Sequence, residues 1–272
     1  MDVSQFLKDY GGHLLGLLGI VQLWAIAAWK RFLRRGTLSV YETANIEIGF
    51  SAFGPTVTLL GTLRAQNKDI FIQRMRLRVV RASDRAEHTF TWRAFRPSVL
   101  ALSGAQQGLE IAGSFLVSTT APQKYNVFFA SAAFASQYES HVQPFRDSWQ
   151  RFLYEQRQHQ DTQVSDTIAQ GQQDQSPSAA LFNQFIGSVS ATALYTAVSN
   201  GFFWHAGSYE LELQIETDRS QENLVKHWGF AIVPDDEQRL RLNIITLIRE
   251  LCDLPVVYNF LYKDYVLMNA VF

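Results

Sequence analysis

The chain has 272 residues, 47% of them hydrophobic, and this composition supports a substantial apolar core in one large domain or two small ones. Its formal net charge of −1 at pH 7 argues against nucleic acid as a partner, because phosphate binding needs a concentrated lysine and arginine surface. The lone cysteine, Cys252, excludes an internal disulfide and a zinc site made of several cysteines.

An uncharged stretch lies near the start of the chain: residues 10–29 contain no Asp, Glu, Lys or Arg. A helix of that length spans about 30 Å, so the stretch predicts one transmembrane helix acting as a signal anchor, with Trp24 and Trp29 near an interface. A basic cluster follows, made of Lys30, Arg31, Arg34 and Arg35. The positive-inside rule then predicts a single-pass membrane protein, anchored in membrane lipid, whose soluble domain lies in the cytoplasm.

Three other interpretations of this stretch stay open: a cleaved signal peptide, a buried core helix, and insertion with the domain on the periplasmic or extracellular side. Gly12, Gly16 and Gly19 also fall on one helix face, in the spacing of closely packed helices. The glycine face leads to the hypothesis of self-association. Expected partners are therefore lipid and other proteins, with a homo-oligomer among them.

The predicted organisation is a membrane anchor with its basic flank at residues 1–35, followed by a β-rich soluble domain at 36–272. Period-two alternation recurs along the second part, as where Met75, Leu77 and Val79 alternate with three arginines. Several such short segments separated by turn signals predict a mainly β protein with helical insertions. We expect an antiparallel β-sandwich that carries α-helices.

One local feature resembles the immunoglobulin-like fold. Gly207, Ser208 and Tyr209 precede an alternating strand, as the residues around a tyrosine corner do. The cysteine pair and the core tryptophan spacing of antibody domains are absent. The resemblance covers about half of the chain and implies the sandwich architecture without implying an activity.

One predicted strand carries a row of arginines on a single face: Arg74, Arg76 and Arg78. This arginine row is a candidate interaction surface for an acidic partner or anionic headgroups. The alternative is structural, because a later strand carries Glu210, Glu212 and Glu216. If the two strands are neighbours, opposite charges pair across them at roughly 0.2–1 kcal/mol per pair.

A helical and loop insertion is predicted at about 134–204, and a C-terminal helix at about 235–252. Residues 175–209 carry no charged side chain. Within this charge-free region, Phe202, Phe203 and Trp204 are a further candidate interaction surface, because large exposed apolar patches mark binding sites. A buried helix against the sheet and a second spanning helix are the alternatives.

No phosphate-binding glycine loop, His-Glu-x-x-His or Gly-x-Ser-x-Gly pattern occurs. We therefore predict no catalytic residue, no cofactor and no metal ligand. Asp235, Asp236 and Glu237 suit a helix N-terminus better than a cation. His205 suits ordinary burial better than catalysis, and Cys252 suits an apolar helix better than a nucleophile's site.

These observations favour a membrane-anchored protein-interaction or scaffolding protein, bacterial in style, whose pathway the sequence does not name. The first alternative is a lipid or small-molecule binding module, with the charge-free region lining an apolar cavity. The second is an enzyme whose site is assembled from distant residues.

Overall fold

The computed structural model describes residues 19–29, 36–95, 110–163 and 177–267, and residues 19–29 form helix α1. The strands are β1 (Thr37–Ser51), β2 (Gly54–Gln66), β3 (Ile70–Arg81), β4 (Glu87–Phe95), β5 (Glu110–Ile111), β6 (Phe115–Val117), β7 (Gln123–Ala130), β8 (Gly207–Thr217), β9 (Leu224–Ile232), β10 (Phe260–Asp264) and β11 (Val266–Leu267). The other helices are α2 (Ala132–Gln163), α3 (Pro177–Phe185), α4 (Val189–Asn200) and α5 (Pro234–Glu250), with a 3₁₀ turn at Ser220–Glu222.

The strands of the described residues form one sheet, in the order β10-β1-β2-β7-β4-β3-β8-β9-β11, with β5 and β6 attached to β4 and β3. Their pairings are antiparallel. β10 ends at Asp264 and β11 begins at Val266, so one short piece of chain connects the two ends of this order. The sheet therefore curls until it is nearly closed.

The predicted immunoglobulin-like sandwich is wrong, because the protein is mainly β but its strands form one curled sheet. Alternation in a sequence shows which face of a strand is buried, but not how strands are divided between sheets. β1 and β2 have 15 and 13 residues, well beyond the usual length of about 5–6. Strands of this length accumulate twist, which favours a coiled sheet over two flat layers.

The feature at Tyr209 that resembles a tyrosine corner is present, although the fold around it is not a sandwich. The hydroxyl of Tyr209 donates a hydrogen bond of 2.7 Å to the backbone O of His205 and accepts one of 2.8 Å from the backbone N of the same residue. These bonds close the turn that leads into β8. They join residues close in sequence, so they form without a second sheet.

The inner face of the curled sheet is packed with side chains from the strands, from α5 and from the segment before β8. Trp204, in that segment, is fully buried and stacks on Phe90 with ring centroids 5.8 Å apart. Its indole N–H donates to the backbone O of Gly49 at 2.8 Å. Leu240 of α5 is likewise fully buried in the same core.

Phe134, at the start of α2, packs against the backbone of two glycines, Gly54 and Gly201. A Cβ added at Gly54 or at Gly201 would lie 2.4 Å from an atom of the Phe134 ring. Gly54 also has φ of +76°, a conformation that residues with a Cβ rarely adopt. The two glycines let the first turn of α2 approach the β1–β2 turn and the end of α4.

Among the described residues, no helix combines the length and the apolar character needed to cross a bilayer. The predicted transmembrane helix is therefore wrong, and with it the signal-anchor role, the single-pass membrane localisation and the orientation argument. The described part of the uncharged stretch, α1, covers residues 19–29 and has a length of about 16 Å. An absence of charge in a sequence shows that water is a poor solvent for a segment, but it does not by itself show that lipid covers that segment.

Candidate interaction surfaces

The arginine row lies on the outer face of β3 and meets the acidic row of β8. The two strands are neighbours, with Arg74 opposite Glu216 and Arg78 opposite Glu212 in the register. Arg76 forms an ion pair of 3.5 Å with Glu216, and Arg78 forms one of 3.6 Å with Glu212. The structural alternative, in which opposite charges pair across neighbouring strands, is confirmed.

The three arginines of the row differ in the acidic partners that they bind. Arg78 also donates hydrogen bonds of 2.7 and 2.6 Å to Glu87 of β4, which raise the pKa of Arg78 and lower the pKa of Glu87. Arg74 makes no hydrogen bond or ion pair with any described residue, because the acid opposite it binds Arg76. Within the described part of the chain, the row therefore ends in a guanidinium without a partner.

β3 and β4 separate beside Arg74, and we refer to this place as the β3–β4 fork. β4 pairs with β3 only as far as Arg76, whereas β6 pairs with β3 from Ile70 to Ile72. The link between β5 and β6 fills part of the gap. An open groove of about 430 Å³ remains at the fork, and the residues that line it include Arg74, Arg76, Thr91, Trp92, Gly113 and Ser114.

Phe202, Phe203 and Trp204 lie in the core, with exposures of only 4%, 9% and 0%. Leu194 and Val198 of α4, in the same charge-free region, are buried as well. These side chains therefore offer no surface to a partner, and the ones that the lipid-binding alternative assigned to a cavity lining belong to the packed core. Sequence alone could not distinguish an exposed binding surface from a packed core, because both need an apolar segment without charges.

A polar cluster that the sequence reasoning missed joins the segment before β8 to the start of α5. Glu237 Oε2 accepts a hydrogen bond of 2.7 Å from the backbone N of Ala206. Its Oε1 lies 2.8 Å from Arg241 Nη2 and 3.2 Å from His205 Nδ1. The spacing of Glu237 and Arg241 on a predicted helix would have revealed that ion pair, but nothing in the sequence indicates the contact with Ala206.

The environment of Glu237 favours its charged form. Burial raises the pKa of the Glu237 carboxyl, but the Ala206 amide, Arg241 and His205 together outweigh burial and hold the pKa below its usual value. A carboxyl that is ionised and bound in this way locks the loop before β8 onto α5. The cluster is a structural clamp and not an open catalytic site, because its polar groups are directed at one another.

Replacing Glu237 with glutamine is expected to lower the free energy of unfolding at neutral pH by about 1–2 kcal/mol, because charged hydrogen bonds are lost. Since the folded-state pKa lies below the ordinary value of 4.5, the stabilisation is present above about that pH and disappears as the pH falls through the folded-state pKa. Urea unfolding should show a gap in the free energy of unfolding between wild type and variant at neutral pH, and this gap should close as the Glu237 carboxyl becomes protonated in acid.

The matched control is Asp235→Asn, which removes an exposed acid from the same helical turn. We expect this control to lose less than half as much stability. Equal losses in the two variants, or a gap that persists in acid, would contradict the clamp role of Glu237.

The other chemistry-bearing residues have structural partners or are buried. Asp236 pairs with Lys263 and accepts a hydrogen bond of 3.2 Å from the backbone N of Val233, so it caps α5. Burial raises the pKa of the Cys252 thiol to about 12, which keeps the thiol protonated and unreactive. Within the described ranges, no group of three or more His, Cys, Asp or Glu side chains is placed to hold a metal ion.

α1 presents a surface that is apolar except at Gln22, and all eleven of its residues, 19–29, are exposed. Its large apolar side chains, with their exposed fractions, are Ile20 (56%), Val21 (57%), Leu23 (68%), Trp24 (74%), Ile26 (45%) and Trp29 (61%). A Cβ at Gly19 would meet no atom within 4 Å. The remaining predicted positions of this part of the chain lie outside the described residues: Gly12, Gly16, Lys30, Arg31, Arg34 and Arg35.

The exposed surfaces described above provide the evidence from which a function can be inferred. Comparisons with models of known protein families, with curated proteins and with solved structures found no match to this chain. No activity is therefore carried over from a relative. The two candidate binding surfaces are the exposed helix α1 and the β3–β4 fork.

Proposed function

We propose that this protein is a self-associating interaction protein, in which the α1 helices of several copies pack against one another. The observation that supports this proposal is that eleven consecutive residues without a charge form a helix that is exposed on all sides. Such a helix is stable only when another surface covers it. The curled sheet with its helices would then be a folded platform that each copy contributes to a scaffold.

The apolar area of α1 is large enough to matter energetically. Its six large apolar side chains expose roughly 700 Å², close to the ~800 Å² that each partner buries in a standard interface. In a pair, each helix covers about half of that area on the other, so the two together bury about 700 Å², which corresponds to about 18 kcal/mol at ~25 cal/mol per Å². Association costs about 4–15 kcal/mol, and a pair leaves the outer half of each helix exposed, so a bundle that covers two faces of each helix is favoured over a simple pair.

A second copy of the chain is the occupant that suits α1 best. Gln22 is the one polar side chain of the helix, so little in α1 would select a polar partner. Ile20, Leu23 and Ala27 recur at the i, i+3 and i+7 positions that form the seam between paired helices. The open space beside Gly19 allows close approach at one end of that seam.

The test is the oligomeric state of the full chain, measured by light scattering coupled to size exclusion and by chemical cross-linking. We expect the wild type to form an oligomer of three or more copies at about 50 μM. Leu23→Glu should weaken the assembly at least tenfold, about 1.4 kcal/mol, because it places a charge in the seam. The matched control is Val189→Glu, which adds the same charge at another exposed apolar residue, in α4.

A monomeric wild type would overturn the proposal, even if it bound some other chain. So would an oligomer that Leu23→Glu leaves intact, because its copies would then be joined through another surface. Equal weakening by Leu23→Glu and Val189→Glu would show that added charge, and not the α1 seam, is responsible. Far-ultraviolet circular dichroism of each variant checks that the sheet is still folded.

A further inference from the structure

A third candidate surface is a cleft between α2 and the end of α5, and we refer to it as the α2–α5 cleft. Its volume of about 510 Å³ lies within the range of small-molecule sites and is too small for a folded partner. The residues that line it include Tyr138, Glu139, Val142, Arg146, Glu250 and Asp253. The first four belong to α2, and the last two lie where α5 ends.

Both walls of the cleft are held in place by contacts within the fold. The ring of Tyr138 stacks on the ring of Phe134, with centroids 5.7 Å apart. On the other wall, the backbone N of Asp253 donates to the backbone O of Glu250 at 3.0 Å. Asp253 has φ of +56°, the left-handed conformation that ends a helix. The cleft is therefore a built feature and not a gap between loose loops.

The lining residues of α2 share one flank of that helix. At 3.6 residues per turn, Val142, Arg146 and Glu139 are rotated from Tyr138 by about 40°, 80° and 100° in the same direction. Side chains within such an arc face the same opening. One ligand in the cleft can therefore reach all of them.

Opposite charges line the cleft without meeting. Arg146 forms no ion pair with any described residue, although three acids line the same cleft: Glu139, Glu250 and Asp253. Among the described residues these acids form no ion pair either, and they are not grouped closely enough to hold a metal ion. The carbonyl end of α5 adds partial negative charge on the side of Glu250. A ligand that carries both charges at separate positions would complement this lining.

The hydroxyl of Tyr138 lies between these charges. Tyr138 is only 9% exposed, and its hydroxyl makes no hydrogen bond within the part of the chain that the structure describes. Burial raises the pKa of this hydroxyl, the Glu250 carboxylate raises it further, and the Arg146 guanidinium lowers it. Both charged groups therefore lie within electrostatic reach of a neutral O–H that is free to donate and accept a hydrogen bond.

We infer that the α2–α5 cleft binds a small zwitterion of the amino-acid class, whose carboxylate meets Arg146 and whose ammonium group meets the acids at the end of α5. The guanidinium offers paired N–H donors that match the two oxygens of a carboxylate. On Glu250, Oε2 accepts a hydrogen bond from the Tyr258 hydroxyl, which leaves Oε1 for the ammonium group. Val142 and Leu251 supply an apolar surface for a side chain. The cleft does not involve α1, so this inference can fail while self-association holds.

The inference is tested by isothermal titration calorimetry of the full chain with three probes that share one carbon skeleton. They are leucine, 3-methylbutylamine, which lacks the carboxylate, and 4-methylpentanoate, which lacks the amine. We expect leucine to bind with a Kd of about 1 mM or lower, at least ~10-fold tighter than either probe with a single charge. Arg146→Gln should weaken leucine binding about tenfold, or ~1.4 kcal/mol, and leave the affinity for 3-methylbutylamine unchanged.

Two pairs of variants keep the test specific. Arg151→Gln removes another exposed arginine of α2, outside the cleft lining, and should leave leucine binding unchanged. Tyr138→Phe keeps the ring but removes the hydroxyl, so it should weaken leucine binding about fivefold. Its control is Tyr154→Phe, at a tyrosine of α2 that is 63% exposed, which should bind leucine normally.

No heat from leucine at millimolar concentration would overturn the inference. An affinity for 3-methylbutylamine equal to that for leucine would overturn the role of Arg146, and an equal affinity for 4-methylpentanoate would overturn the role of the acids. Equal losses in Arg146→Gln and Arg151→Gln would show that net charge, and not the cleft, attracts leucine. Undiminished binding in Tyr138→Phe would place leucine elsewhere on the chain.

Discussion

Replacing Trp204 with alanine is expected to lower the free energy of unfolding by about 3–5 kcal/mol. The side chain is fully buried and packs among Phe90, Tyr209 and Phe230, with ring centroids 5.8, 5.7 and 6.3 Å away. Truncation would leave a cavity at the centre of the curled sheet. Because proteins of this kind are stable by only about 5–15 kcal/mol, the loss is a large share of the total. Urea unfolding followed by far-ultraviolet circular dichroism measures it.

Two further variants separate the packing of Trp204 from its hydrogen bond. Trp204→Phe keeps an aromatic ring but loses the 2.8 Å bond from the indole N–H to Gly49 O, so we expect a smaller loss of about 1–2 kcal/mol. Tyr154→Ala removes an aromatic side chain of α2 that is 63% exposed and should change stability by less than about 0.5 kcal/mol. A loss for Trp204→Ala no greater than that for Tyr154→Ala would mean that Trp204 is not at the centre of the core.

Replacing Gly54 with alanine is expected to destabilise the protein by about 2–5 kcal/mol. The added methyl group would lie 2.4 Å from Phe134 Cγ, and overpacking of this kind costs about 1–3 kcal/mol. The φ of +76° adds a further cost of about 1–2 kcal/mol for a residue with a Cβ. Thermal or urea unfolding of the variant measures the sum.

The clash with Phe134 can be separated from the backbone strain by a double-mutant cycle. In a Phe134→Leu background the smaller side chain should yield, so Gly54→Ala should cost less than it does in the wild type. Gly187→Ala is the control, because its Cβ meets no atom within 4 Å, and it should be neutral or slightly stabilising. Strictly additive losses in the cycle would contradict the close packing of α2 on the β1–β2 turn.

Much of the local structure was predictable from single segments of sequence. Met75, Leu77 and Val79 are buried, as the alternation along β3 predicts, and the arginines between them lie on the outer face. In α5 the apolar residues on one face are buried in the same way, namely Leu240, Ile244, Leu247 and Ile248. Each of these predictions needs only the geometry of one strand or one helix, because a period of 2 or 3.6 residues fixes which side chains share a face.

The candidate sites were predictable only in part. The pairing of the arginine row with the acids of β8 was one of two interpretations. The register that decided between them brings together residues far apart in sequence, because Arg74 lies opposite Glu216 and Arg78 lies opposite Glu212. Among the described residues Arg74 has no partner, because Glu216, which lies opposite Arg74, forms its ion pair with Arg76. The groove at the fork depends on where the β5–β6 link is inserted, which no pattern along β3 or β4 indicates.

The amino-acid sequence by itself determined which segments are apolar and which faces of strands and helices carry the apolar side chains. It also excluded an internal disulfide and a zinc site made of several cysteines. Only the tertiary structure decided what covers each apolar segment. Two stretches lack charged side chains, yet Trp204 in one of them is buried against Gly49, 155 residues away, whereas Trp24 in the other is exposed. The physical reason is that hydropathy belongs to one segment, while burial depends on distant strands that supply the opposite surface.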